Sequence, residues 1–420
     1  MRRVRGGNAK SQAAEDDGRR QLTIPLDDGT VQLALVQALI PLGLQAVEEM
    51  LTAEVTALAG VRYGREADGS RVVRWGRQPG SIYLADQKLP IQVPRVRDRV
   101  AGCERPLETY HQLQTPRGQD IGVYRRVLGG LSCREYEAAA EAVPAAFGLA
   151  KTSVSRRFIR ASARALRQLQ ERRLDDREWL VLIVDGKTFA TDQIVVALGV
   201  TSTGEKRIVG LVQTATENRR TIGAFLRELT ERGFAATGRL LVVIDGSKGL
   251  RRAIDDVFGD RAEVQRCQWH KRENVVSYLP KAEQAAWRRK LQGAYAHPAY
   301  VDAKRALTRL HRELAVENES AAASLLEGLE ETLTLHRLNV FPELGRAFKT
   351  TNAIESVMAR VEHKTSRVTH WRTSDQKLRW CAAGLLATEA TFRRVKGCDK
   401  LPLLQQALMH SRSTNTHAAA

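Results

Sequence analysis

The chain of 420 residues is poor in cysteine, short of acid relative to base, and without a long apolar run. Its five cysteines, Cys103, Cys133, Cys267, Cys381 and Cys398, are widely spaced, and no two form a Cys-x-x-Cys pair. That excludes a disulfide framework and a structural zinc site, and fits a reducing cytoplasm. The longest uncharged run, Gly29 to Val47, contains Gln32, Gln37, Pro41 and Gln45. It is too polar and too broken to span a bilayer, so no membrane association is expected. No apolar stretch follows the basic N-terminus, which argues against a signal peptide. No internal repeat is present. What the chain has in excess is base: 66 Lys+Arg against 48 Asp+Glu, a net charge of +18. Such a surface attracts polyanions, and nucleic acid is the expected partner. Hydrophobic residues at 43% are enough for a sizeable core.

The composition shifts along the chain. Residues 1–20 read as a disordered basic arm. Residues 21–60 are densely apolar from Val31 to Leu58 and read as helix, broken near Pro41, serving a core or a dimer interface. Residues 61–116 form a small basic β-rich module, in which Arg62, Arg65, Arg71 and Arg74 are candidate phosphate contacts. Residues 117–176 read as a helix-turn-helix region: Asp120–Leu128, Gly129-Gly130, Cys133–Ala142, a turn at Val143–Gly148, and a helix from Lys151. Thr152 or Ser153 would cap that last helix. Residues 151–170 hold six basic side chains and no acidic one. Lys151, Ser153, Arg156, Arg157, Arg160 and Arg164 are the candidate DNA contacts.

From Trp179 the pattern turns to strands. Trp179–Val184 is continuously apolar, as a strand covered on both faces should be. Gln193–Val200 and Arg207–Gln213 follow, then a helix with Ile222, Phe225, Leu226 and Leu229 on one face. The strand Leu240–Ile244, a helix Lys248–Phe258 and the strand Glu263–Cys267 complete a β-β-β-α-β-α-β order. The expected fold class is α/β, with a ribonuclease-H-like core whose first part covers 177–280. Residues 281–340 read as an all-helical insertion. Residues 341–412 resume with basic helices, 13 Lys+Arg against 6 Asp+Glu. Residues 413–420 read as a disordered tail.

Two Asp-Gly pairs follow buried strands: Asp185-Gly186 after the first and Asp245-Gly246 after the fourth. In this order those strands are neighbours, so both carboxylates meet at one edge. Paired carboxylates repel unless cations lie between them, and oxygen ligands suit Mg²⁺ or Mn²⁺. An Asp-Gly is by itself a common turn. Asp192, in the turn before the second strand, is a weaker candidate. Glu355, in Thr350-Thr351-Asn352-Ala353-Ile354-Glu355, reads either as a third acid or as the partner of Asn352 in a helix capping box. Glu343 and Glu362 are its alternatives. Cys267-Gln268-Trp269-His270 is half a zinc motif without a second half. His270 can instead hydrogen-bond a phosphate, while Cys267 and Trp269 pack in the core. Lys248, Arg266 and Lys271 lie near these acids in sequence, and Arg360, Lys364 and Arg367 follow Glu355; all six are candidate DNA contacts.

In this order, the Asp-Gly, the Asp-Gly-x-x-Gly-Leu at Asp245, the Arg-Cys-x-x-His at Arg266 and the Thr-Thr-Asn-x-x-Glu-Ser at Thr350 resemble the Mutator-type transposases of bacterial insertion sequences. The resemblance runs from about residue 30 to 400. It implies an Asp-Asp-Glu triad of Asp185, Asp245 and Glu355, 60 and 110 residues apart, with the helical insertion before the glutamate. It also implies two Mg²⁺ or Mn²⁺ ions per active site, cleavage at terminal inverted repeats and joining of a 3′-hydroxyl to target DNA. A homodimer acting on double-stranded DNA in the bacterial cytoplasm, at the nucleoid, follows from the same likeness. Lys271-Arg272-Glu273-Asn274 departs from the family, which more often has arginine before the asparagine. Two other classes remain open: a catalytically silent sequence-specific DNA-binding protein, and a ribonuclease-H-like structure-specific nuclease.

Overall fold

The computed structural model describes residues 29–62, 71–84, 87–114, 119–131, 151–214 and 218–411. The expected arm, the tail, the helix and turn over 133–148, and Arg65 lie outside them. The chain divides into two compact units: the described residues up to 114 form the first and those from 119 onward the second.

In the first unit, α1 (Gly29–Ala59) precedes β1 (Val72–Leu84), β2 (Gln87–Asp98), β3 (Cys103–Arg105) and α2 (Glu108–Gln114). The three strands form an antiparallel meander. Contrary to the sequence expectation, α1 is not broken at Pro41. A proline deletes one bond of the helical ladder, and the rest of a 31-residue helix persists around it. Val47, Leu51 and Val55 recur every four residues and bury that face against Ile82, Leu89, Val93 and Val96 of the sheet. The carboxylate of Glu54 accepts from the backbone N–H groups of Glu108 and Thr109 and so caps α2.

The second unit opens with α3 (Gln119–Leu128) and α4 (Lys151–Glu171). The antiparallel strands β4 (Trp179–Phe189), β5 (Asp192–Thr201) and β6 (Lys206–Thr214) follow. Then α5 (Arg219–Glu231), β7 (Leu240–Ile244), α6 (Lys248–Phe258) and β8 (Ala262–Arg266) complete a mixed five-stranded sheet in the order β6-β5-β4-β7-β8. Strands β4, β7 and β8 are parallel neighbours, joined by helical crossovers. Helices continue to the end of the described chain: α7 (Gln268–Ser277), α8 (Lys281–Tyr295), α9 (Tyr300–Glu317), α10 (Glu319–Leu326), α11 (Leu329–Thr332), α12 (Thr334–Arg337), α13 (Phe341–Phe348), α14 (Asn352–Thr365), α15 (Ser374–Glu389) and α16 (Leu401–His410).

Each face of the sheet has its own core. Leu182, Val184, Val242 and Ile244 join Ile222, Phe225, Leu250 and Ile254 of α5 and α6. Val181, Ile183, Leu241 and Val243 join Phe158 of α4, Ile354 and Met358 of α14, and Trp380 and Leu385 of α15. Helices α7 to α11 share a third core built on Trp287, Leu291, Leu307, Leu314 and Leu325. Residues 119–131 and 151–171, read from the sequence as part of a DNA-binding region, pack within this second unit. Among the described residues no helix is long and apolar enough to cross a membrane.

Candidate active site at the end of the central sheet

Strand parity builds the site. Residues i and i+2 of a strand share a face. On β4, Val181 and Ile183 face the α14–α15 side, so Asp185 does too. On β7, Leu241 and Val243 face that side, and Asp245 continues the series. The parallel register pairs Val184 with Ile244, which makes Asp185 and Asp245 the next step on two adjacent strands. Asp185 does not end its strand, as an Asp-Gly turn would require: β4 runs on to Phe189, paired with β5. Asp245 does leave its sheet. Its Oδ1 accepts from the backbone N–H of Ser247 at 2.9 Å, and Gly246 takes φ +107°, which favours glycine. Ser247 in turn caps α6.

The chain leaving β8 reaches the same edge. The backbone N–H of Cys267 bonds the carbonyl of Ile244 at 2.7 Å. Cys267 is the N-cap of α7, its Sγ accepting from the His270 backbone N–H at 3.5 Å. The Cys-x-x-His spacing is thus a helix cap, and burial pushes the thiol pKa up. Trp269 does not pack in the core as expected; it is 39% exposed and lies edge-on to the His270 ring. Helix side chains turn about 100° per residue, so with Cys267, Gln268 and Lys271 facing inward Trp269 falls on the outer side. Glu355 enters from the first turn of α14. Thr351, not Asn352, holds the N-cap position, and no side-chain capping bond forms. The capping-box reading of Glu355 is therefore overturned. Glu343 and Glu362 are both solvent-exposed.

Ligating atoms of Asp185, His270 and Glu355 all lie within 4.8 Å of one another. Asp245 is outside this cluster, yet close enough that its charge acts on both Asp185 and His270. Asp185 is 1% exposed, and its Oδ2 finds no hydrogen-bond donor. Burial pushes its pKa up to about 7; Lys187 opposes the rise, while Asp245 and Glu355 add to it. Lys187 Nζ lies 3.5 Å from Glu355 Oε1 and 3.9 Å from Asp185 Oδ2. The His270 pKa is lowered, chiefly by burial. Its Nδ1 faces Thr351 Oγ1 at 3.4 Å and its Nε2 faces Glu355 at 3.6 Å. Neither Lys187 nor Thr351 stands out in the sequence, although parity from Asp185 is a signal for the lysine. Asp192 lies apart, ion-paired with Lys377.

The basic residues sort into two groups. Arg62, Lys151, Arg156, Arg160, Arg164, Lys248, Arg360 and Arg367 are exposed, and Lys364 is half-buried. Arg71 is exposed while bonding Asp98. Others are committed elsewhere, against expectation. Arg74 donates to Thr56 Oγ1 and to the Gly60 carbonyl at the end of α1. Arg157 is buried, because the face of α4 that carries Val154 and Phe158 turns into the core. Arg266 is buried and ion-paired with Glu331 at 2.6 Å. Lys271 is buried, its Nζ donating to the carbonyls of Ser324 and Glu327 at 2.7 and 2.6 Å. Those carbonyls are the open acceptors at the end of α10, which an ammonium satisfies well. Burial lowers the Lys271 pKa to about 8. Thr152 and Ser153 lie inside α4, so neither caps it. Glu273, the departure from the family pattern, pairs with Arg272 and Arg288.

A sequence profile for the Mutator family of transposases matches residues 34–393. The chain is 34% identical over 175 residues to the transposase for insertion sequence element IST2 of Acidithiobacillus ferrooxidans, covering 41% of this chain and 57% of that relative. It is 26% identical over 290 residues to the transposase for insertion sequence element IS256 in transposon Tn4001 of Staphylococcus aureus, covering 66% and 70%. With the transposase for insertion sequence element IS406 of Burkholderia multivorans it shares 22% over 346 residues, covering 80% and 87%.

Proposed function

The chain belongs to the Mutator family of transposases, and on that premise we propose that it binds the terminal inverted repeats of an insertion sequence, cleaves there and joins the 3′-hydroxyl to target DNA. The sheet order β6-β5-β4-β7-β8, with Asp185 within β4 and Asp245 just past β7 on two adjacent parallel strands, supports a ribonuclease-H-like core. One observation carries the catalytic reading. Asp185 buries a carboxylate oxygen that no donor meets, within reach of Glu355 and under the charge of Asp245. A buried carboxylate helped only by Thr351 and by an ammonium 3.9 Å away is under-compensated, and such a group costs several kcal/mol unless a closer cation completes it. The donor set is oxygen-rich and suits Mg²⁺ or Mn²⁺. Asp185, Asp245 and Glu355 would hold two such ions. When bound, they supply activation of the attacking hydroxyl and neutralisation of the leaving oxygen.

The chain's own residues do the rest. Asp185 anchors from a strand hydrogen-bonded on both sides, which fixes its position. Glu355 and Asp245 sit on helix and turn starts, whose positions follow packing on the sheet. His270, kept neutral by burial, presents Nε2 toward the cluster and is placed to donate a hydrogen bond to a phosphate oxygen. Exposed Arg156, Arg160 and Arg164 on α4, with Lys248, Arg360 and Arg367, provide positive charge for the backbone. Cutting two ends requires at least two copies, so we place the working form as a homodimer on double-stranded DNA in the cytoplasm.

The deciding experiment uses duplexes carrying the element's ends. Mg²⁺-dependent cleavage followed by strand transfer into a second duplex is expected, and EDTA abolishes both. Binding without cleavage would leave a silent DNA-binding protein; cleavage without transfer would leave a nuclease.

A further inference from the structure

Two lysines buried in the second unit end on close, directed acceptors. Lys271 Nζ meets two carbonyls at 2.6 and 2.7 Å. Lys377 Nζ meets Thr191 Oγ1 and Asp192 Oδ1 at 2.6 and 2.5 Å. Lys187 differs. It stands two residues after Asp185 on β4, hence on the same face. Its ammonium sits between Glu355 Oε1 at 3.5 Å and Asp185 Oδ2 at 3.9 Å. Both distances exceed the roughly 2.7–2.9 Å of a charge-assisted hydrogen bond. Its hydrogen bond to Glu355 is long, so charge holds the group there more than directed bonding does. It is also 30% exposed, against 1% for Asp185, so its flexible stem has a way out to solvent.

We propose that Lys187 is a tethered counter-cation: it occupies the space between Asp185 and Glu355 in the metal-free protein and must withdraw when a divalent ion is taken up. This rests on the metal site of the preceding section and adds how that site is regulated. In the metal-free protein the ammonium offsets the repulsion among Asp185, Asp245 and Glu355, so the cluster keeps its shape. Uptake of a divalent ion competes with that ammonium, which lowers the affinity for the first ion. The displaced lysine then adds a positive charge at the rim, where a DNA phosphate approaches.

The test measures Mn²⁺ binding to the full chain without DNA, by calorimetry and by the electron paramagnetic resonance signal of free Mn²⁺, at pH 8.5. Lys187→Met keeps the length of the stem and removes the charge. It should bind the first Mn²⁺ about tenfold more tightly, while its melting temperature in EDTA falls. Lys187→Arg, which retains the charge, should stay within about threefold of wild type. If Lys187→Met does not fold, Lys187→Gln serves in its place with the same expectation. Affinity equal to or weaker than wild type in the neutral variant overturns the role given to the lysine. Absence of Mn²⁺ binding by the wild type, with Asp185→Asn indistinguishable from it, overturns the metal site itself and the lysine's role with it.

Discussion

Two buried carboxylates in one sheet have opposite surroundings. Glu263 on β8 is 5% exposed and meets Arg239 at 2.7 Å, Arg337 at 2.9 Å and the Ser411 hydroxyl at 2.9 Å. A cavity of about 530 Å³ opens beside it, lined also by Arg251, Glu330 and Glu331, and these charges largely pair with one another. Asp185 on β4 is buried more deeply and keeps an oxygen without a donor, with a single ammonium at 3.9 Å. Pairing makes the first carboxylate part of the scaffold. Looser pairing leaves the second with a cost that an added cation or a proton removes. The cavity beside it would direct attention to Glu263; unmet electrostatic demand directs it to Asp185.

The largest expected effect breaks this contrast at Asp185. Asp185→Asn keeps shape and removes charge, so cleavage of end DNA in Mg²⁺ should fall by ~10³-fold or more, with DNA binding retained. The metal-free protein should respond in the opposite direction. The Asp185 pKa is raised from 3.8 to about 7, so the unfolded chain ionises first and stability is lost as pH rises through that window. At pH 8, without metal, Asp185→Asn should melt above wild type, and near pH 4 the two should coincide. A mutant that melts lower at pH 8 would count against the unpaired-charge reading.

Next in size is the scaffold side. Glu263→Gln leaves Arg239 and Arg337 without their anion and should cost about 3 kcal/mol in urea unfolding, while Mn²⁺ binding by the folded protein stays unchanged. A change in metal affinity would mean the two regions are not independent. Glu355→Gln sharpens the comparison with a smaller stability effect: cleavage should be lost while the metal-free melting temperature moves by no more than a degree or so, because no capping bond breaks and the weakened contact to Lys187 is offset by relief of repulsion with Asp185. The smallest effect is electrostatic and distributed. Arg156→Gln with Arg164→Gln on the exposed face of α4 should weaken DNA binding severalfold and reduce the salt slope by about 2 in a fluorescence titration over KCl. Lys271→Met, at a buried lysine, should leave that slope unchanged.

Much of this was determined by local sequence. Continuous apolar runs at Trp179–Val184 and Leu240–Ile244 require strands covered on both faces, and their crossover helices require parallel neighbours. Alternation along those strands then commits Asp185 and Asp245 to one face, because a strand has a period of two whatever surrounds it. Other features were open until the chain folded. Whether Glu355 caps its helix or faces the acids depends on where α14 begins, which its packing on the sheet decides. The exposure of Arg156 and the burial of Arg157, one residue apart, follow from which face of α4 meets Trp380. Lys271 and Arg266 read as surface charges until α10 and α11, some 50 to 65 residues away, supply their acceptors. Charge and periodicity are local properties that a sequence carries by itself. Which charges find close partners is a long-range matter, and here it was decided by tertiary packing, which satisfies Glu263 and leaves one oxygen of Asp185 without a hydrogen-bond donor.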